Sequence, residues 1–136
     1  LGAPFTVFAN ATFLDLDGGP RAAFSSFVPR SGNWGATFAH KRFTVTARWN
    51  YRGEDRRAPQ AVFGPEGYEY YKARITLDMN ATWQLTRRLS FAASVNNALN
   101  EPQTLLRYGP QTPVYARQFQ ETEYGIQLSA GVRGTF

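Results

Sequence analysis

Few residues of this chain could do covalent chemistry, and none of those has a partner at a useful spacing. His40 is the single histidine and adjoins Lys41 and Arg42. It lacks the second ligand a metal site needs and reads as a solvated turn residue. Asp15-Leu-Asp17-Gly18 begins like a calcium loop, but no further acidic ligands follow at loop spacing, so a turn is the better reading. There is no nucleophile elbow, phosphate-cradling glycine loop or acid–base pair, which points away from an enzyme. The chain has no cysteine, which excludes thiolate metal sites and a disulfide scaffold, and no cofactor is implied. What remains is recognition chemistry. Residues 98–118 carry Arg107, Tyr108, Tyr115 and Arg117, residue types enriched where surfaces bind.

The charges do not form one block. Lysine and arginine number 15 against 10 acidic residues, a net charge of +5. Lys41-Arg42 and Arg87-Arg88 sit in short turns, whereas Arg48, Arg52, Lys72, Arg74 and Arg133 alternate with apolar residues. No basic helix or recognition module accompanies them, so nucleic acid is not the expected partner.

The elements that must position these residues are strands. From Tyr71 to Leu85 every odd position is apolar and every even position from Lys72 to Thr86 is polar. A period of two is the side-chain period of a β-strand. Residues 42–52 repeat it, with Phe43, Val45, Ala47, Trp49 and Tyr51 against Thr44, Thr46, Arg48 and Asn50. So do residues 89–97. Residues 124–136 do so with the phase on even numbers, and 5–14 and 33–40 are weaker examples. Six strands and no helix are expected, the longest an unbroken run over 70–86 that exceeds an ordinary strand of roughly 5–6 residues. No stretch of 18 apolar residues offers a membrane helix. Leu1-Gly-Ala-Pro has neither the basic start nor the apolar core of a signal peptide, so a leader is expected to be upstream or removed.

Connection lengths alternate. The links at 40–42 and 86–88 are tight, while 15–32, 53–69 and 98–118 are long and rich in Gly, Pro, Asn and charge. Outer-membrane barrels place short turns on the periplasmic side and long loops outside. Aromatic residues fit that orientation, with Trp49, Tyr51, Tyr70 and Tyr71 at the outer ends of strands and Phe43 and Trp83 at the inner ends.

The final segment, Glu123-Tyr-Gly-Ile-Gln-Leu-Ser-Ala-Gly-Val-Arg-Gly-Thr-Phe136, resembles the closing strand of outer-membrane β-barrels. The resemblance makes Leu128, Val132 and Phe136 a signal for the barrel assembly machinery. Val95-Asn-Asn-Ala-Leu-Asn-Glu101 resembles the penultimate-strand motif of TonB-dependent receptors, with Gln103 where a tyrosine often follows. Phe27-Val-Pro-Arg-Ser31, Asn33-Trp-Gly and Trp49-Asn-Tyr-Arg-Gly53 are similar to strand-entry and strand-exit patterns of the same receptors.

The resemblance implies an all-β, antiparallel up-and-down transmembrane barrel segment of about six strands, a partial barrel in the bacterial outer membrane. Residues 1–136 would be the C-terminal portion of a receptor of about 22 strands, lacking its plug. It implies energy-coupled uptake of a scarce nutrient, a siderophore, cobalamin or a glycan, driven by the TonB system through parts outside this chain. Arg48, Arg52, Lys72, Arg74 and Asp78 would face the lumen, and Arg107, Tyr108, Tyr115 and Arg117 would be candidate ligand contacts. Outer-membrane lipid would cover the apolar face. A passive porin or small barrel adhesin is the alternative, and a soluble antiparallel β-sheet binding module a third.

Overall fold

The computed structural model describes residues 4–17 and 26–135. Its ten strands form two antiparallel sheets. The strands are β1 (Phe5–Phe13), β2 (Arg30–His40), β3 (Phe43–Arg52), β4 (Asp55–Pro59), β5 (Tyr68–Tyr71), β6 (Arg74–Gln84), β7 (Leu89–Asn96), β8 (Gln103–Tyr108), β9 (Gln118–Thr122) and β10 (Gln127–Gly134). Single 3-10 turns at Ala61–Phe63 and Val114–Ala116 are the only helical pieces among the described residues.

The larger sheet has the order β1-β2-β3-β6-β7-β10, the order in which its strands occur along the chain. Its strands correspond to the six alternating segments. Adjacent rows across it have opposite chemistry. One row runs Val7, Ala36, Ala47, Met79, Val95, Leu128, and the row beside it, one residue along each strand, runs Thr6, Thr37, Thr46, Asn80, Ser94, Ser129. Successive strand side chains point to opposite faces, so a period of two in six segments becomes one apolar and one polar face. The polar row bonds laterally, Thr37 to Thr46 at 2.9 Å and Ser94 to Ser129 at 2.6 Å. Phe8 lies on this polar face, over Gly35, with the Arg48 guanidinium 5.6 Å from its ring centre. A side chain at Gly35 would collide with the Phe8 ring and the Ala47 carbonyl.

The large sheet stays open: β1 pairs only with β2 and β10 only with β7. One expectation needs correcting: the described residues form ten strands in two sheets rather than six in one barrel wall, because the long links are not all loops. Two of them continue the strands into a second sheet, order β4-β5-β8-β9. β4 follows β3, β5 precedes β6, β8 follows β7 and β9 precedes β10, so the small sheet prolongs four adjacent strands of the large one.

The expected run over 70–86 breaks at Lys72-Ala73. The Lys72 N–H leaves the ladder of the large sheet and donates to the Thr104 carbonyl at 3.0 Å. Tyr70 and Tyr71 therefore belong to the small sheet, not to the outer rim of the large one, and Lys72 lies outside any strand. Arg48, Arg52, Arg74 and Asp78 do share the polar face, with Arg48 opposite Asp78 and Arg52 opposite Arg74. Leu128 and Val132 lie on the apolar face of β10, and Phe136 is outside the described residues.

No residue of the six long strands is buried. The one buried apolar side chain among the described residues is Tyr68, in the small sheet. On the apolar face Val7 is 79% exposed, Trp83 52% and Leu128 73%. No element among the described residues covers that face.

Candidate functional site

The waist between the sheets is built first, by Asn97. Its backbone is left-handed (φ 52°), a conformation that asparagine tolerates better than most residues. Its N–H donates to Asp78 Oδ1 at 3.0 Å, and its Nδ2 donates to the Glu101 and Gly125 carbonyls at 3.2 and 3.3 Å. Its Oδ1 accepts the Glu101 N–H at 3.0 Å. Asp78 Oδ2 accepts Asn50 Nδ2 at 2.8 Å, so one carboxylate ties β3 to the start of the β7–β8 link. Asp55 makes the second tie. It is fully buried, its Oδ2 lies 2.7 Å from Arg52 and 3.6 Å from Arg57, and its Oδ1 has no partner.

Above the waist the small sheet gathers tyrosine and arginine from two links. Tyr68 sits opposite Tyr108 on β8, and Tyr70 reaches diagonally to stack on Tyr108 with ring centres 4.2 Å apart. Arg56 lies 4.7 Å over the Tyr68 ring and Arg117 4.6 Å over the Tyr108 ring. Arg117 Nε donates to the Thr112 carbonyl at 3.1 Å, which fixes the guanidinium on its ring. Together with Glu66, Gly109 and Pro110 these residues line a cleft of about 250 Å³. Cation–π contacts of this kind are worth roughly 0.5–1 kcal/mol each at exposed sites.

Two of the phenols, Tyr70 and Tyr108, hold their protons more tightly than a free tyrosine. Burial pushes the Tyr108 hydroxyl well above its ordinary pKa, and the Glu54 carboxylate, which accepts its proton at 3.0 Å, pushes the same way. Burial also raises Tyr70, opposed by Arg56 and helped by Glu54. A hydroxyl held in this state is a poor nucleophile and a good hydrogen-bond donor. The cleft thus offers ring faces, fixed guanidinium planes and neutral hydroxyls, which is binding chemistry.

Of the four residues singled out in the last link, Tyr108 and Arg117 line this cleft and the other two do not. Arg107 points to a different neighbour set: it pairs with Glu69 at 2.6 Å and its guanidinium lies 3.4 Å over the Phe119 ring. Tyr115 is 89% exposed and lines none of the cleft. Arg56, Tyr68 and Tyr70 were not foreseen as site residues. The available signal was Tyr68-Glu-Tyr70, which places two rings on one face of a strand. His40 is exposed beside its turn, its ring stacked 6.3 Å from that of Phe38. Asp15 Oδ1 accepts the Leu16 N–H, and Gly18 lies outside the described residues. Among the described residues no three His, Cys, Asp or Glu side chains gather.

Comparison with family models, with curated proteins and with solved structures found no match.

Proposed function

We propose that this chain is a wall segment of a bacterial outer-membrane β-barrel that works as a TonB-dependent transporter in energy-coupled uptake of a scarce nutrient. The observation that carries the reading is the uncovered apolar face of the six-stranded sheet. Five strand spacings of about 4.8 Å and about nine residues of about 3.3 Å give that face roughly 700 Å². The largest apolar patch on a soluble monomer is usually about 300–600 Å². Lipid is the occupant that suits a face of this size whose reverse side is mostly polar. An eleven-residue strand such as β2 or β6 is about 33 Å long. At a ~45° tilt it crosses about 23 Å, close to the ~25 Å apolar band of outer-membrane barrels.

The open edges at β1 and β10 agree, since an unpaired edge in lipid leaves backbone groups unsatisfied and further strands would have to complete the wall. The short turns at one end and strand-prolonging links at the other supply the periplasmic and outer sides. In this reading the cleft of Tyr68, Tyr70, Tyr108 and Arg117 stands on the outer side, where a nutrient is first met. The transport assignment itself draws on the resemblance of Val95–Glu101 and the strand-exit patterns to TonB-dependent receptors.

Fractionation of the source cells tests the membrane reading. The polypeptide carrying this sequence should leave the outer membrane only in detergent, and protease added to whole cells should cut it near 61–66 or 109–116. Recovery in the aqueous fraction without detergent overturns the reading in favour of a β-sheet binding module. Uptake abolished by a protonophore supports energy coupling; unaffected uptake replaces the transporter with a passive porin.

A further inference from the structure

Charge is segregated along the strands. Arg48 and Asp78 face each other across β3 and β6. On the short-turn side of that line there is no acidic residue among the described residues, since all 10 Asp and Glu of the chain are Asp78 itself or lie in the long-link half. The same side holds Lys41 and Arg42 in the β2–β3 turn, Arg87 and Arg88 in the β6–β7 turn and Arg133 on β10, all exposed. Backbone pairing sets them side by side. Gln84 N–H donates to the Arg42 carbonyl at 2.7 Å, Arg42 donates to the Leu85 carbonyl at 3.1 Å, and Thr135 N–H donates to the Arg88 carbonyl at 2.9 Å. Arg133 is opposite Ser90. No ion pair among the described residues involves any of the five, whereas Arg52, Arg57 and Arg107 at the other end are all paired with carboxylates.

An aromatic row lies beside this strip. Phe43, Trp83 and Phe91 are consecutive cross-strand neighbours on the apolar face, continued by Val132. Aromatic rings settle at the boundary between acyl chains and headgroups, and arginine stems reach from that boundary toward phosphates. An uncompensated cationic strip repels itself, so its natural complement is a dense anionic surface at the same depth.

We propose that the strip formed by the turn residues Lys41, Arg42, Arg87 and Arg88 docks the anionic headgroups of phospholipids in the leaflet that surrounds the short turns. The inference rests on the membrane-wall reading above. Arginine takes a phosphate with two parallel hydrogen bonds and lysine takes it as a point charge, so both can hold a diester headgroup. The opposite end mixes its cations with carboxylates, three of its arginines being ion-paired, and so presents no comparable single-sign strip.

The test uses the whole polypeptide that carries this chain, extracted in detergent and reconstituted into phosphatidylcholine vesicles with or without phosphatidylglycerol. Lipid retained through re-extraction is counted by native mass spectrometry. Phosphatidylglycerol should be retained in preference to phosphatidylcholine, with the preference shrinking at high salt. Arg87→Gln and Lys41→Gln should each lower it by about fivefold, the pair Arg87→Lys with Arg88→Lys should preserve it, and Lys72→Gln at the other end should leave it unchanged. The single substitutions carry the test should a variant lacking all the charges fail to insert. Equal retention of the two lipids by inserted protein overturns the docking strip and leaves the barrel reading standing. Failure of the unaltered protein to insert into either vesicle overturns both.

Discussion

The two sheets share a strand order and almost nothing else. The large one holds six strands of eight to eleven residues and buries none of them. The small one holds four strands of four to six residues and contains every buried strand residue: Asp55, Tyr68 and Thr104. It also holds ion pairs, stacked tyrosines and guanidinium-on-ring contacts. The large sheet relies on backbone pairing and on whatever covers its apolar face. The small sheet carries its own polar and aromatic packing. One hairpin pathway passes through both, so topology alone does not set which side chains stabilise each half.

The sharpest way to break this comparison is to put a charge on either face of the large sheet. Met79 lies in the middle row of the apolar face and Asn80 in the neighbouring polar row. Met79→Arg should cost about 2–4 kcal/mol if that face meets lipid at mid-membrane, and Asn80→Arg should cost little. A urea refolding titration into vesicles measures both, and equal costs would remove the assignment of faces. Where β3 of the large sheet meets the small one, the next largest effect is Arg52→Ala. It leaves the fully buried Asp55 carboxylate with Arg57 alone at 3.6 Å, whereas Asp55→Ala leaves two arginines that water can reach. Arg52→Ala should therefore be the worse of the pair, by about 2 kcal/mol against about 1. Limited proteolysis of the 53–69 segment gives the order, and the reverse order would mean that the carboxylate is not held by that pair.

The large sheet was legible because strict alternation is a local signal: Thr76-Leu77-Asp78-Met79-Asn80 states both faces of β6 without help from elsewhere. The small sheet was not. Asp55-Arg-Arg-Ala-Pro59 has no alternation and Tyr68-Glu-Tyr-Tyr71 has three residues of it, so neither segment announces a strand. They extend because the hairpins they prolong are already paired, a cause that lies in the neighbouring strands. The break at Lys72 was hidden for the same reason, since alternation continues through it while its N–H changes partner. Tyr108 and Arg117 stood out by type, but the rings and guanidinium that complete their cleft come from Arg56, Tyr68 and Tyr70, about 40 to 60 positions away in the chain.

Between the sheets, Asn97 tests whether the two halves are coupled. Asn97→Ala loses the side-chain bonds to Glu101 and Gly125 and strains a left-handed backbone; Asn97→Gly loses only the bonds. At roughly 1 kcal/mol for the bonds and about 1 more for the conformation, Ala should cost about 2 and Gly about 1. Hydrogen exchange should show loss of protection in β8 and β9 and little change in β7. A loss spread evenly over both sheets would mean that they unfold as one unit.

The smallest effect separates the sheets by pH. A phenol whose folded pKa is raised keeps its proton where the unfolded chain has already lost it. Its contribution to stability is complete below the unfolded value near 10 and declines as pH rises from there through the folded value. Tyr70 and Tyr108 both stand in the small sheet, so alkali should loosen the cleft before it disturbs the rows of the large sheet, where threonine, serine and asparagine do not titrate. Tyr108→Phe deletes the bond to Glu54, at a cost of about 1 kcal/mol at neutral pH, and with it most of this alkaline sensitivity. Phenolate absorbance followed with near-ultraviolet circular dichroism reads both. Loss of tertiary signal at the same pH in the Phe variant and the unaltered protein would assign the alkaline transition to groups outside the tyrosine stack, and the small sheet would then owe its order to Asp55 and Asn97 rather than to its rings.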